Sequence, residues 1–157
     1  MAEIFTYDAV LFDLFGTLVD DEANAIAGAQ ECIRAVGTSP WAIVTSCGVR
    51  FARKLIAHAR LPSPRVLVTA DDVPRNKPAP DGYLYAAMRL GVTPERSLVV
   101  EDSLQGIAAA REAGMDVVAL LRGRTSGFAI SATFVVETIA QLRLAAVEGA
   151  VVLTHGT

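Results

Sequence analysis

Asp13 closes a short apolar run, Ala9-Val10-Leu11-Phe12, and opens the turn Leu14-Phe15-Gly16-Thr17. A carboxylate at the carboxyl end of a buried strand, just before a glycine turn, sits where open α/β sheets do chemistry. Thr45-Ser46 follows a second such run, Ala42-Ile43-Val44, and Glu101-Asp102 follows a third, Leu98-Val99-Val100. Lys77 lies in the loop Asn76-Lys77-Pro78. Parallel strands share one carboxyl edge, so these groups converge. Carboxylates gathered there repel and raise one another's pKa. A divalent cation relieves the repulsion. Mg²⁺ suits the role as a hard ion that takes one or two carboxylates plus phosphate oxygens; these ligand types do not separate it from Mn²⁺. Hydroxyls, helix-start amides, a lysine and such an ion together describe a site for phosphoryl chemistry.

Taken singly, each residue has a plainer explanation. Asp13 is a turn former, Thr45 and Ser46 cap a helix, Lys77 is a solvated lysine, and Glu101-Asp102 favours a helix start. Their order and strand contexts make the joint chemical reading the stronger one.

The elements that must position them follow from the apolar pattern. Strands are expected at 9–12, 42–44, 66–68, 98–100, 117–121 and 133–136, and helices at 24–35, 49–59, 83–90, 104–113 and 139–147. Continuous apolar runs suit strands covered on both faces. Their alternation with amphipathic stretches predicts an α/β fold, a doubly wound, Rossmann-like parallel sheet with helices on both faces. Ser103 is placed to cap the helix from Leu104. One domain is expected over 1–148. Residues 149–157 are expected as a loosely held tail, or as an edge strand through Val151-Val152-Leu153.

Bulk properties exclude several classes. A chain of 157 residues, 52% hydrophobic, can bury a sizeable core in one domain. With a net charge of −3 and no Lys/Arg run, nucleic acid is not an expected partner. No apolar stretch reaches transmembrane length, so no membrane partner is expected either. Two cysteines, Cys32 and Cys47, make no disulfide framework and suit a reducing cytosol. The N-terminus has neither the basic nor the apolar region of a secretory signal, so a soluble cytoplasmic protein is expected.

The ordered set resembles the haloacid dehalogenase (HAD) superfamily, in its branch of small phosphatases and sugar-phosphate mutases. Asp13-Leu14-Phe15-Gly16-Thr17 resembles the first motif, Val44-Thr45-Ser46 the second, Lys77-Pro78-Ala79-Pro80 the third and Val100-Glu101-Asp102-Ser103 the fourth. The resemblance runs from about Tyr7 to Leu144. It implies that Asp13 attacks phosphorus and forms an aspartyl-phosphate. It implies that Thr45 and the Ser46 amide hold the phosphoryl group and that Lys77 neutralises charge. It further implies that Asp13, Asp102, Glu101 nearby or through water, and the Phe15 carbonyl hold Mg²⁺. The substrate would be a small phosphate ester or an acyl phosphate.

Two departures qualify that picture. The family's phosphatases carry an aspartate at the position of Phe15, which protonates the leaving group and later activates water. Such acid–base help is worth roughly 10²–10⁴-fold. Slow turnover of sugar or alkyl phosphates is therefore expected, with acyl and aryl phosphates suffering less. A catalytically impaired binding or scaffold protein is the alternative. A metal-free 2-haloacid dehalogenase is a further one, which Glu101-Asp102 disfavours. The second departure is length. Only 32 positions separate Asp13 from Thr45, too few for the helical cap that many members insert there. The resemblance then implies an open, capless site, and an open site with an apolar composition admits a homo-oligomer.

Overall fold

All six expected strands form and pair in parallel in the computed structural model, which describes residues 1–156. They are β2 (Ala9–Phe12), β3 (Trp41–Val44), β4 (Val66–Val68), β5 (Ser97–Glu101), β6 (Asp116–Leu120) and β7 (Phe134–Val136). They lie in the order β4-β3-β2-β5-β6-β7. Central β2 pairs on one side with β3, Val10 opposite Trp41, and on the other with β5, Val10 opposite Leu98.

Four helices cover the sheet: α1 (Ala29–Val36), α2 (Val49–His58), α3 (Asp81–Leu90) and α4 (Leu104–Glu112). Successive strand residues face opposite sides, and β2 shows this directly. Val10 and Phe12 share a core with Ile33 of α1 and Leu55 of α2. Ala9 and Leu11 share another with Tyr83 and Ala86 of α3 and Ile107 of α4. Both faces are therefore buried, which explains why these strands read as unbroken apolar runs.

The chain winds from β2 outward through β3 to β4, then crosses back to β5 and outward again to β7. The winding direction reverses beside β2. A crevice opens at that point, at the carboxyl end of β2, and Asp13 stands in it.

Three expectations are corrected. The first helix begins at Ala29 rather than residue 24. Ile26 instead donates to the Leu18 carbonyl and Val19 bridges to Ala25, drawing this stretch back onto the Asp13 turn. The helix expected at 139–147 is a short 3₁₀ turn, Ile139–Gln141, followed by strand β8 (Arg143–Val147). The last segment, Ala150–Gly156, is strand β9. A two-residue turn joins them, with Glu148 and Gly149 both at positive φ and Val147 opposite Ala150. That is the geometry a tight hairpin demands, and it overrides the weak helical period.

β9 is a middle strand, not an edge or a loose tail. It pairs antiparallel with β8 and with β1 (Ala2–Tyr7), an N-terminal strand that the apolar pattern did not signal. Leu153 and Val151 of β9 bury into the core beside Phe12 and Trp41. Phe5 meets Phe134 edge-on at 4.7 Å, joining the small sheet to the large one.

Candidate active site

Four loops at the carboxyl edge bring the expected residues together. Asp13 leaves β2 with its amide bonded to the Val100 carbonyl of β5. Thr45 extends β3 by donating to the Val68 carbonyl. Lys77 reaches in from the loop after β4, and Glu101 and Asp102 end β5. A cavity of about 580 Å³ opens over this edge, with Asp13, Lys77, Thr45, Ser46 and Asp102 in its wall.

Lys77 is the hub. Its Nζ lies 2.8 Å from Asp13 Oδ1, 2.7 Å from Glu101 Oε1 and 2.9 Å from the Val44 carbonyl. Three acceptors use its three protons and fix its direction. Burial alone would lower its pKa, but the charges of Asp13 and Glu101 outweigh that and hold it above the ordinary lysine range. Burial pushes the Asp13 carboxyl up; Lys77 pulls it back, and Asp102 adds to the rise. Glu101 is likewise raised by burial and by the Asp13 charge, against the pull of Lys77.

Asp102 and Glu101 differ sharply. Glu101 is wholly buried. Its Oε1 also accepts from Tyr83 at 2.6 Å, and its Oε2 faces the amides of Asp102 and Ser103 and the Ser103 hydroxyl. A Cβ on Gly106 would fall 1.8 Å from Oε1, so only glycine lets α4 start over this carboxylate. Ser103 does cap α4, accepting from the Gly106 amide at 3.0 Å. Asp102 instead lines the cavity and lies against the Asp13 turn. A Cβ on Gly16 (φ +87°) would come within 2.3 Å of its Oδ2.

One oxygen each of Asp13, Glu101 and Asp102 lies within 4.8 Å of the others. Thr17 Oγ1 sits 3.1 Å from Asp13 Oδ2 and 3.1 Å from Asp102 Oδ1. A hydroxyl has one proton and cannot donate to both carboxylates at once. A hard cation between Asp13 and Asp102 would complete that pair, so these donors fit Mg²⁺. The bonds inside the turn run to the carbonyls of Leu14 and Val19 rather than to that of Phe15. Glu101, with both oxygens engaged, is the least available of the expected ligands.

Several residues at the site lie outside the sequence-based set. Thr17 was visible inside the first motif without a role. Tyr83 was visible only as a helix position. Arg122 donates to the Gly16 carbonyl at 3.0 Å and approaches Asp102 Oδ2 at 3.5 Å, and Arg124 donates to the Asp102 carbonyl. Both follow β6, so the rule that strand ends share an edge would have found them. Phe51, in the first turn of α2, and Cys47 also line the cavity.

Comparison with known proteins decides the family. A model for haloacid dehalogenase-like hydrolases matches residues 24–114, more than half of the chain. The chain belongs to that family. The matched span takes in Thr45, Lys77, Glu101 and Asp102, while Asp13 and Phe15 precede it. This haloacid dehalogenase-like chain is 47% identical over 81 residues to hexitol phosphatase A of Escherichia coli (strain K12), covering 52% of this chain and 38% of that protein. It is 37% identical over 120 residues to the validoxylamine A 7′-phosphate phosphatase of Streptomyces hygroscopicus subsp. limoneus, covering 76% of this chain and 54% of that one. The chain thus spans about half or less of the length of these curated relatives.

Solved structures agree on the fold. CbbY from Rhodobacter sphaeroides, crystallised with phosphate, superposes with a TM-score of 0.74 at 20% identity, over 86% of this chain and 96% of that one. A HAD family hydrolase from Deinococcus radiodurans R1, with bound phosphate and sodium, gives 0.74 at 24% identity, over 86% and 93%. Among the described residues no helix is long and apolar enough to cross a membrane.

Proposed function

We propose that this hydrolase cleaves small phosphate esters and acyl phosphates through an aspartyl-phosphate on Asp13, with Mg²⁺ bound. The observation that carries the reading is the contact of Asp13 Oδ1 with Lys77 Nζ at 2.8 Å, inside a cavity that Thr45 and Ser46 also line. The lysine lowers the charge that an incoming phosphate meets. It also holds Oδ1 of Asp13 in place while the Thr17 hydroxyl meets Oδ2, so the carboxylate is oriented for attack. Thr45 and the Ser46 amide receive the phosphoryl oxygens. Asp102, Asp13 and the Phe15 carbonyl are the groups that would hold Mg²⁺, which when bound offsets phosphoryl negative charge. Glu101 acts as a positioning residue: it orients Lys77 and is itself held by Tyr83 and Ser103. The same reading places the protein in the cytosol, with Cys32 and Cys47 as free thiols.

Phe15 limits the reaction. Its ring lines the cavity where a proton donor would serve the leaving group, and it can neither give nor take a proton. Loss of the leaving group and hydrolysis of the aspartyl-phosphate both slow. The exposed ring also favours a second reading, a binding protein that has lost turnover.

Hydrolysis of acetyl phosphate with Mg²⁺ separates the two readings. Wild type is expected to turn it over, Asp13→Asn to be silent, and Phe15→Asp to accelerate alkyl phosphate hydrolysis by up to roughly 10²-fold. Silence from folded wild type and Phe15→Asp alike would sink the phosphatase reading and favour the binding one. Turnover surviving in Asp13→Asn would sink the proposed mechanism.

A further inference from the structure

Phe51 stands off the packed face of its helix. The buried face of α2 consists of Ala52, Leu55 and Ile56, whereas Phe51 is 53% exposed. Phe15 is 46% exposed, in a turn whose neighbours Leu14 and Leu18 are fully buried. These two large apolar side chains come from different elements, the turn after β2 and the first turn of α2, yet both line the cavity above Asp13. An exposed ring gains free energy when something apolar covers it. Rings also prefer other rings, in offset or edge-on contact.

The charges of the cavity lie deep. The side chains of Lys77, Asp13 and Asp102 are 8%, 11% and 12% exposed. Beside the two rings, the rest of the lining consists of Thr45, Ser46, Cys47, Ser103 and Gln105. A phosphate is thus received by charge at the floor, and whatever it is attached to meets aromatic surface.

Resting on the phosphatase reading above, we propose that this site selects aromatic phosphate monoesters, with Phe51 as a specificity-determining residue and Phe15 as its companion ring. The chemistry reaches the same class independently. Asp13 Oδ forms a bond to phosphorus as the phosphorus–oxygen bond to the aryl group breaks. The aryl oxide leaves with that electron pair as a phenolate, an anion stable enough to need no proton in the transition state. Water then attacks the aspartyl-phosphate, releasing phosphate and the Asp13 carboxylate, and the water's proton passes to solvent. An alkoxide leaving group would need the proton that Phe15 cannot give. An acyl phosphate would not need it, but it brings no ring.

Binding and turnover test this separately, both with Mg²⁺ present. Calorimetry compares phenylphosphonate with methylphosphonate on wild type, Phe51→Ala and Phe51→Tyr. Phenylphosphonate is expected to bind wild type more tightly, with about three- to tenfold of that preference lost in Phe51→Ala and kept in Phe51→Tyr. For p-nitrophenyl phosphate, the loss in Phe51→Ala is expected in KM rather than kcat. Equal affinities in wild type, or a preference untouched by Phe51→Ala, would overturn the aromatic selection while Asp13-dependent acetyl phosphate hydrolysis still stood. A ring-dependent preference in a protein that releases no phosphate from either substrate would support the aromatic site and sink the phosphatase reading instead.

Discussion

The two sheets of this molecule do opposite work. The six-stranded parallel sheet crowds Asp13, Glu101, Asp102 and Lys77 onto one edge, where burial drives both Asp13 and Glu101 toward their neutral forms. Among the described residues, the three-stranded antiparallel sheet holds no comparable cluster. Its β9 alternates inward Val151 and Leu153 with outward-leaning neighbours, and it packs. Where groups are arranged for chemistry the fold carries an electrostatic cost, and the surrounding packing offsets it. A change at the first sheet's edge should therefore alter reactivity more than stability, and a change in the second sheet the reverse.

Asp13→Asn gives the largest expected effect. Phosphate release should fall by at least on the order of 10³-fold, while the thermal midpoint stays near that of wild type. A collapse of the midpoint would show that the edge also supports the fold, and the contrast would fail. Leu153→Ala should do the opposite. Removing this buried side chain should cost roughly 2–5 kcal/mol in urea unfolding, with KM for acetyl phosphate unchanged.

Gly106→Ala lies between these extremes. Its Cβ needs space that Glu101 occupies, so Glu101 must shift and Lys77 loses its anchor. A stability loss of roughly 1–3 kcal/mol is expected, together with a clear fall in kcat. A stability loss without a change in kcat would remove Glu101 from the positioning role.

The smallest effect sharpens the contrast through pH. The Tyr7 hydroxyl of β1 donates to Asp116 at 2.7 Å. Burial first, and then this bond, hold its pKa above the ordinary tyrosine value. A folded-state pKa above the unfolded one stabilises fully below about pH 10 and loses that contribution as pH rises further. Tyr7→Phe should cost about 1 kcal/mol at neutral pH and flatten the alkaline arm of the stability curve.

The parallel sheet was legible because each strand carries its own signal. Ala9–Phe12 is buried on both faces, and nothing distant is needed to read it. β1 carries no such signal, and β9 carries only the short run Val151-Val152-Leu153, read as an edge strand or a loose tail. They are half exposed, and they become strands only because Ala2 meets Gly156 across almost the whole chain. The segment after Ile139 misled for a related reason: its apolar spacing suits a helix locally, and the turn at Glu148-Gly149 decides otherwise. At the site, Asp13, Thr45 and Asp102 could be read from strand ends, and Lys77 from the motif Lys77-Pro78-Ala79-Pro80. Arg122 and Arg124 stand at the end of β6, and the same rule reaches them. Tyr83 and Phe51 could not be read, since a helical period says which face is buried but not that the buried Tyr83 hydroxyl meets Glu101 or that the exposed Phe51 ring overlooks a cavity.

The pairing of Ala2 with Gly156 has a mechanical consequence. Residues 2 and 156 sit at the same end of an antiparallel ladder whose hydrogen bonds run across the strands. A load pulling those two residues apart lies along the bonds, not along the strands. It opens the ladder one pair at a time, from Ala2–Gly156 toward Tyr7–Val151, without shearing every bond at once. Under tension the small sheet peels away first, and the strand that carries Asp13 is the next to feel the force.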